Sequence, residues 1–432
     1  MTARQSPPLR PLTERLRPDN TPLSLAEYER HGGFQGLRAA LKMGPQDVTG
    51  MVKTAGLRGR GGAGFPTGVK WGLVPMGPEA PKQKYVVANG DEMEPGTFKD
   101  RLLLEGDPLQ FIEGMIIAGY AIGASIGYVF LRAEYTLAAQ RLLAAMAECE
   151  ARQLLGRNIL GTGFDFTLYL HTSAGRYICG EETALLNSLE GKRAVPRSKP
   201  PFPATAGLFG KPTVVNNIET LCNVPHIVHY GADWYRDLSA KTTGNADGGT
   251  KLYGVSGKVK HPGCWELPMG TPARAIVEQH AGGMREGLQL RGFLPGGAST
   301  DFLTAAQLDV PMDYDSIAKA GSRMGTGLLI VLDDKTPLLG MLRNLEKFFA
   351  IESCGWCTPC RDGLPWTERI LADFEAGRAR AGDIELLRQQ TRLLGPGRTF
   401  CAHAPGAMEP LQSALKHFPQ DFEAALRGTE GD

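Results

Sequence analysis

Gly59-Arg60-Gly61-Gly62-Ala63-Gly64-Phe65-Pro66-Thr67-Gly68-Val69-Lys70-Trp71 is the stretch on which the reading of the fold turns. Five glycines fall among the ten positions from Gly59 to Gly68. Residues without Cβ tolerate φ > 0 and close approach, so such a loop can aim several N–H groups at one anion, naturally a phosphate. Arg60 and Lys70 bring positive charge, and Phe65 could stack on a planar ring. Gly59-x-Gly61-x-x-Gly64 also matches a dinucleotide fingerprint, but that fingerprint needs a strand before its glycines. Here the preceding Pro45–Ala55 run has the spacing of an amphipathic helix, and the first strand comes later, at Lys84–Ala88. The glycines therefore argue for an anion cradle in an α/β fold other than the usual dinucleotide βαβ unit. A flexible surface loop is the plain alternative.

Working outward, the predicted strand Lys84–Ala88 ends directly before Asn89, Asp91, Glu92 and Glu94. Open α/β sheets bind ligands at such strand ends. Helix Leu109–Ala121, strand Tyr128–Leu131, helix Thr136–Leu155 and strand Phe164–His171 continue the alternation. Gly114–Leu131 carries no charge over 18 residues, the lower limit for a membrane span. Its glycines and the turn-like GASIG favour a buried helix followed by a strand. Arg176-Tyr177-Ile178-Cys179-Gly180-Glu181-Glu182-Thr183 runs into an apolar helix, where acids also have the ordinary role of meeting the helix N-terminus. The proline-rich segment Pro196–Pro212 reads as a stiff functional loop. Asn216 and Asn217 then open a helix, Ile218–Tyr230, with Asn at the cap.

Upstream, residues 1–23 are rich in Pro and Arg and read as an extended arm, followed by a helical run at Ser24–Lys42. Downstream, Leu238–Lys251 has linker composition. Strands at Lys251–Val259, Cys264–Leu267, Leu288–Phe293 and Leu328–Leu332, with a helix at Thr271–His280, make a compact α+β module without obvious chemistry. From Pro337 the period is helical: Leu338–Ala350, Pro365–Phe374, Asp383–Leu394 and Met408–Leu426.

The totals exclude some classes. A chain of 432 residues with 42% hydrophobic and 22% charged residues is ordinary for a globular protein of two or three domains. Its formal charge of +1 offers no general attraction for nucleic acid. The N-terminus lacks a signal-peptide core, which with the cysteine usage suggests a cytoplasmic setting.

Three of the eight cysteines, Cys354, Cys357 and Cys360, stand at C-x2-C-x2-C, with Cys401 41 positions beyond. Three local thiolates plus one distant thiolate suit a [4Fe-4S] cluster. Zinc remains the rival, although its structural sites usually pair their ligands. His403, close to Cys401, reads as a supporting or surface residue, because four thiols already complete the set. An anion cradle, acids at a strand end and an iron–sulfur site suggest electron transfer, with a flavin as the intermediary between paired and single electrons.

Taken together, Gly59–Trp71, Asn89–Arg101, Arg176–Thr183, Arg197–Pro203, Pro212–Leu221 and Glu352–Leu364 resemble the NADH-oxidising flavoprotein subunit of respiratory complex I, the bacterial NADH-quinone oxidoreductase. The resemblance implies an FMN-binding α/β domain over 1–240. It further implies a ubiquitin-like, soluble-ligand-binding β-grasp domain over 241–335 and a helical bundle with one [4Fe-4S] cluster over 336–432. It assigns FMN to Gly59, Arg60, Gly61, Gly62, Gly64, Lys70, Asn89, Asp91, Glu94, Tyr177, Gly180, Glu181, Asn216 and Asn217. NADH is assigned to Phe65, Lys70, Glu94, Glu182, Lys199 and Phe202, with Glu94 beside the reacting nicotinamide and Leu73 where some relatives place an aromatic. Gly90 and Met93 also replace residues common in the acidic motif. The cluster falls to Cys354, Cys357, Cys360 and Cys401. Implied partners are the other peripheral-arm subunits, chiefly the thioredoxin-like [2Fe-2S] subunit and the large iron–sulfur subunit, on the cytoplasmic side of the bacterial inner membrane and without insertion into it. Two alternatives remain open at this point. One is a diaphorase subunit of an NAD-linked hydrogenase or formate dehydrogenase; the other is a zinc-bearing interaction module.

Overall fold

The computed structural model describes residues 7–173, 175–241 and 247–427. Residues 1–6 of the expected arm and 242–246 of the expected linker lie outside the described residues. The chain forms two compact units, one containing residues up to Met93, Phe98–Leu252 and Glu266–Gly270, the other containing Glu94–Thr97, Tyr253–Trp265 and the chain from Thr271 onward.

The first unit is built on four parallel strands: β1 (Tyr85–Gly90), β2 (Ile126–Leu131), β3 (Thr167–Thr172) and β4 (Thr213–Asn217). Their order is β3-β2-β1-β4. The chain steps outward from β1 to β2 to β3, then crosses back to lay β4 on the other side of β1. Parallel strands buried on both faces need apolar runs, which Val86, Val87, Ala88, Val129, Phe130, Leu131, Val214 and Val215 supply. Helix Pro108–Ile122, which contains the first part of the segment Gly114–Leu131 weighed as a membrane span, is almost wholly buried and stops at Gly123 in the left-handed conformation. Among the described residues no helix is long and apolar enough to cross a membrane. This helix packs closely against helix Ile218–Tyr230: a Cβ on Gly114 would come within 2.1 Å of the Leu221 carbonyl oxygen.

Several elements differ from expectation. The run Ser24–Lys42 divides into helices Leu25–Arg30 and Gln35–Ala40, separated by Phe34 at φ 59°. The arm is tied down by polar contacts: Leu12 N and Thr13 N donate to the buried Glu266 carboxylate, and Arg15 pairs with Asp107. Helix Lys99–Gly106 lacked a sequence signal; Asn216 and Asn217 complete strand β4, and Asn217 also caps helix Ile218–Tyr230 as expected, its side chain accepting from Glu219 N.

A five-stranded sheet, in the order β6-β5-β9-β7-β8, is made by β5 (Thr250–Ser256), β6 (Gly263–Pro268), β7 (Leu290–Leu294), β8 (Leu303–Thr304) and β9 (Leu328–Asp333); all of it except Thr250–Leu252 and Glu266–Pro268 belongs to the second unit. β9 runs parallel to β5 and antiparallel to β7. The helical part of that unit comprises Leu338–Glu352, Thr358–Glu375, Asp383–Leu393, His403–His417 and Pro419–Arg427. The expected single helix Met408–Leu426 is thus two, broken before Pro419, which cannot continue a helical hydrogen-bond ladder.

Candidate functional site

The crossing back of the chain decides where the first site lies. In an open α/β sheet a crevice forms at the carboxyl ends of the two strands from which connections leave in opposite directions. Here those strands are β1 and β4, which pair Ala88 with Asn216 and Asn89 with Asn217. Four of the residues assigned to FMN, namely Asn89, Asp91, Asn216 and Asn217, therefore meet at one point.

The glycine loop belongs to the same unit. It leaves helix Pro45–Thr54, closes on itself through Gly59 N to Phe65 O at 2.9 Å, and enters the short helix Thr67–Gly72. Gly62 and Gly64 hold φ of 125° and 65°, which side chains resist. A Cβ on Gly61 would reach 3.0 Å from Asn217 Cβ, so the loop lies directly against the end of β4. Trp71 Nε1 donates to Asn216 Oδ1 at 2.8 Å, fixing the other side of the turn.

Arg60 does something different from the expectation of a charge facing an anion. It is fully buried, and its guanidinium donates to Tyr235 Oη, Gly248 O and Thr250 O. Its role here is to anchor the loop, leaving exposed loop backbone such as Gly61 for a phosphate. Beneath lies a network of buried charges. Lys99 Nζ meets Asp100 at 2.8 Å, Glu219 at 2.9 Å and Asn217 Oδ1 at 3.2 Å, while Lys251 meets Glu219 at 3.1 Å. Burial opposes ionisation of Glu219, but Lys251 and Lys99 outweigh it and hold its carboxyl down at about 2. Burial with Lys99 and Arg60 nearby lowers Lys251 to about 8 despite Glu219. Charges this deep persist only when paired, so the network fixes Asn217, whose Nδ2 donates to Asp100 at 2.6 Å. Lys99 lay within the acidic-motif stretch, but its partners Glu219 and Lys251 come from distant segments and left no local signal.

The remaining assigned groups have the following surroundings. Asn89 donates to Gly180 O at 3.0 Å, and Asp91 accepts from Ser173 Oγ at 2.9 Å. Tyr177 opens the turn Tyr177–Gly180 and is half-buried. Glu181 follows the ordinary helix-end reading: it caps helix Glu182–Leu189 by accepting from Thr183 N and Ala184 N. Glu182 is clamped by Lys70 at 2.8 Å and Lys199 at 2.9 Å. Burial disfavours its charge, yet Lys70 and Lys199 prevail and hold it below the usual carboxylate range. Phe65 and Phe202 expose about half their surface, at 49% and 57%, as does Leu73 at 55%, leaving two rings available for stacking. The donors and close-approach positions thus fit a phosphate-bearing flavin.

In the second unit, Glu94 Oε1 accepts from Ser299 N at 2.6 Å. A Cβ on Gly297 would fall 2.6 Å from Glu94 Cγ, so glycine is required there. The module judged to lack chemistry therefore holds the carboxylate expected nearest the reacting nicotinamide.

Cys354 and Cys357 flank the turn after helix Leu338–Glu352, and Cys360 begins the next helix. Burial raises the Cys360 thiol to about 12, with Cys357, Cys401 and Cys354 adding to the rise against a Ser353 hydrogen bond. The four sulfurs thus form one electrostatic group. Among the described residues no three His, Cys, Asp or Glu groups stand close enough to grip a single ion. In a cubane each thiolate would bind its own iron. His403 lies buried, with Nε2 2.8 Å from Phe349 O, in keeping with a supporting role.

Comparison with known proteins supports both cofactors. The Nuo51 FMN-binding domain family matches residues 52–226, the SLBB domain family 252–303, and the NADH-ubiquinone oxidoreductase-F iron-sulfur binding region 340–425. The F subunits of NADH-quinone oxidoreductase in Salmonella typhimurium and Escherichia coli K12 are each 58% identical over 424 residues, 98% of this chain and 94% of theirs. The Mycobacterium tuberculosis protein of the same name is 46% identical over 430 residues, 98% of this chain and 95% of its own. A solved NAD+-reducing [NiFe]-hydrogenase in the H2-reduced state contains a chain 34% identical to this one, with TM-score 0.82, covering 94% of this chain and 67% of that chain. An identity of 58% across nearly the full length, with the loop, the strand-end asparagines and the four cysteines in place, means that this chain belongs to the F-subunit family of the NADH-quinone oxidoreductases.

Proposed function

We propose that this chain is the NADH-oxidising component of a quinone-reducing respiratory assembly. The convergence of Asn89, Asp91, Asn216 and Asn217 with the glycine loop at the β1/β4 switch point carries the reading. When bound, FMN takes up an electron pair as hydride and releases electrons singly to a [4Fe-4S] cluster. Gly59, Gly61, Gly62 and Gly64 cradle its phosphate, with Asn89, Asp91, Asn216 and Asn217 around the flavin. Tyr177, Gly180 and Glu181 form the adjoining wall.

For the dinucleotide, Phe65 and Phe202 stack on the adenine. Glu182, kept ionised by Lys70 and Lys199, accepts the ribose hydroxyls and repels a 2′-phosphate, so NADH is preferred over NADPH. Glu94 receives the nicotinamide carboxamide, and orientation supplies most of the rate. Cys354, Cys357, Cys360 and Cys401 hold the cluster. The three functional segments are 1–240, 241–335 and 336–432. The chain works with a thioredoxin-like [2Fe-2S] subunit and a large iron–sulfur subunit at the cytoplasmic face of the inner membrane. The hydrogenase likeness favours a second reading, a diaphorase serving another oxidoreductase, but the 58% identity to the quinone-linked relatives ranks it below the first.

An absorption spectrum of the purified, reconstituted chain before and after anaerobic NADH tests the proposal. Flavin and iron–sulfur bands that bleach are expected; a protein that binds neither group after reconstitution overturns it.

A further inference from the structure

Ser299, whose N–H holds Glu94, is itself gripped from the other side. Its carbonyl oxygen accepts from Arg323 Nη2, and Arg323 Nε lies 2.8 and 2.7 Å from the two carboxylate oxygens of Glu409. Glu409 stands on helix His403–His417, which the terminal helix Pro419–Arg427 follows. Helix His403–His417 fits closely here: a Cβ on Gly406 would come 3.2 Å from both Arg323 Nη2 and Ser299 Cβ. Further bonds tie the same helix to this segment, from Phe302 N to Ser413 Oγ at 2.7 Å and from Gln412 to Asp301 at 2.8 Å. An unbroken polar chain thus runs from Glu94 through Ser299 and Arg323 to Glu409.

We propose that Arg323 and Glu409 are positioning residues for dinucleotide binding, and that protonation of Glu409 loosens the Ser299 turn and with it the Glu94 carboxylate. This rests on the reading of Glu94 as the carboxamide anchor. The charged groups facing Glu409 are Arg323, Asp301 and Glu94, with Lys416 of its own helix acting on Asp301. Burial raises Glu409 to about 7; Arg323 opposes the rise, while Asp301 and Glu94 add to it. Asp301 itself is raised to about 6, chiefly by burial. Above neutrality an ionised Glu409 turns both oxygens to the single Arg323 Nε–H. Below it, one oxygen carries a proton and the charge assistance of that contact is lost.

The test is calorimetric titration of the flavin-loaded full chain with NAD+, which binds without reducing the flavin, at pH 6 and pH 8. The native chain should bind about fivefold more weakly at pH 6, the low end of the coupling between linked sites. Glu409→Gln should bind equally at both values, at the weak level, and Arg323→Gln should do the same. A role confined to holding the fold together would lower stability without removing the pH dependence. Native affinity that does not change with pH overturns the proposal, and that measurement needs no variant to fold. Retention of the pH dependence in Glu409→Gln overturns it as well. Glu94→Gln separates the layers. If it binds NAD+ like the native chain, the anchor reading falls and this inference with it; if it binds weakly while the native chain is insensitive to pH, only the coupling falls.

Discussion

The flavin region and the cysteine region solve opposite problems. Around the glycine loop the protein satisfies its own polar groups: Lys99, Asp100, Asn217, Glu219 and Lys251 bond to one another, and Arg60 anchors in carbonyl oxygens. These partners all come from the protein itself. Around the cysteines the balance runs the other way at Cys360, whose thiol is raised by burial and further by Cys357, Cys401 and Cys354. A flavin phosphate can be met by backbone N–H groups held from behind, whereas a cluster must be met by four thiolates.

The largest effect should come from the cysteine side. Cys360→Ser should lower iron from about four atoms per chain, the content of a cubane, to near none, while flavin content stays unchanged. Parallel iron and flavin assays after reconstitution check this, and simultaneous loss of both would deny the independence of the two regions.

On the flavin side damage should appear without any cofactor. Lys99→Met leaves Asp100 and Glu219 buried without their shared cation, a loss on the order of 3–5 kcal/mol for a broken buried pair. Urea unfolding of flavin-free protein measures it. Adding Glu219→Gln should restore part of the loss, and a destabilisation that appears only with flavin bound would contradict partners supplied by the protein itself.

Glu92 offers a pH test of the same region. It is buried and accepts from Asp100 N, Arg101 N and Tyr135 Oη. Burial first, then Asp100, raises it from 4.5 to about 7, against Lys99. Because its folded value exceeds its unfolded value, the stability it contributes is full below about pH 4.5 and is lost as pH rises through about 7. The loss should approach about 3 kcal/mol on the scale of 1.36 kcal/mol per unit. Unfolding curves for native and Glu92→Gln chains across that window should differ in slope, the variant being flatter.

The smallest effect concerns selectivity. Glu182→Gln keeps its shape but loses the charge that rejects a 2′-phosphate, so the NADH/NADPH preference in kcat/KM should fall about tenfold, or 1.4 kcal/mol. An unchanged ratio would remove Glu182 from that role.

Short-range features were legible in the chain itself. The cysteines announce themselves because three of four fall within seven positions, and the glycines because a turn at φ of 125° and 65° demands them locally. The apolar runs of β1 and β2 and helix Ile218–Tyr230 follow from periodicity over a few residues. Even Glu181 as a cap could be read from a single helix start. What no window of sequence contained was the return of β4 beside β1, which brings Asn216 and Asn217 to Asn89 from 127 and 128 positions away. Nor did it contain the inward turn of Arg60, or the alliance of Lys99 with Glu219 and of Glu94 with Ser299. Propensity and spacing act between neighbours along the chain, whereas a buried charge is decided by whichever distant segment supplies its counter-charge, and only the folded structure makes that choice.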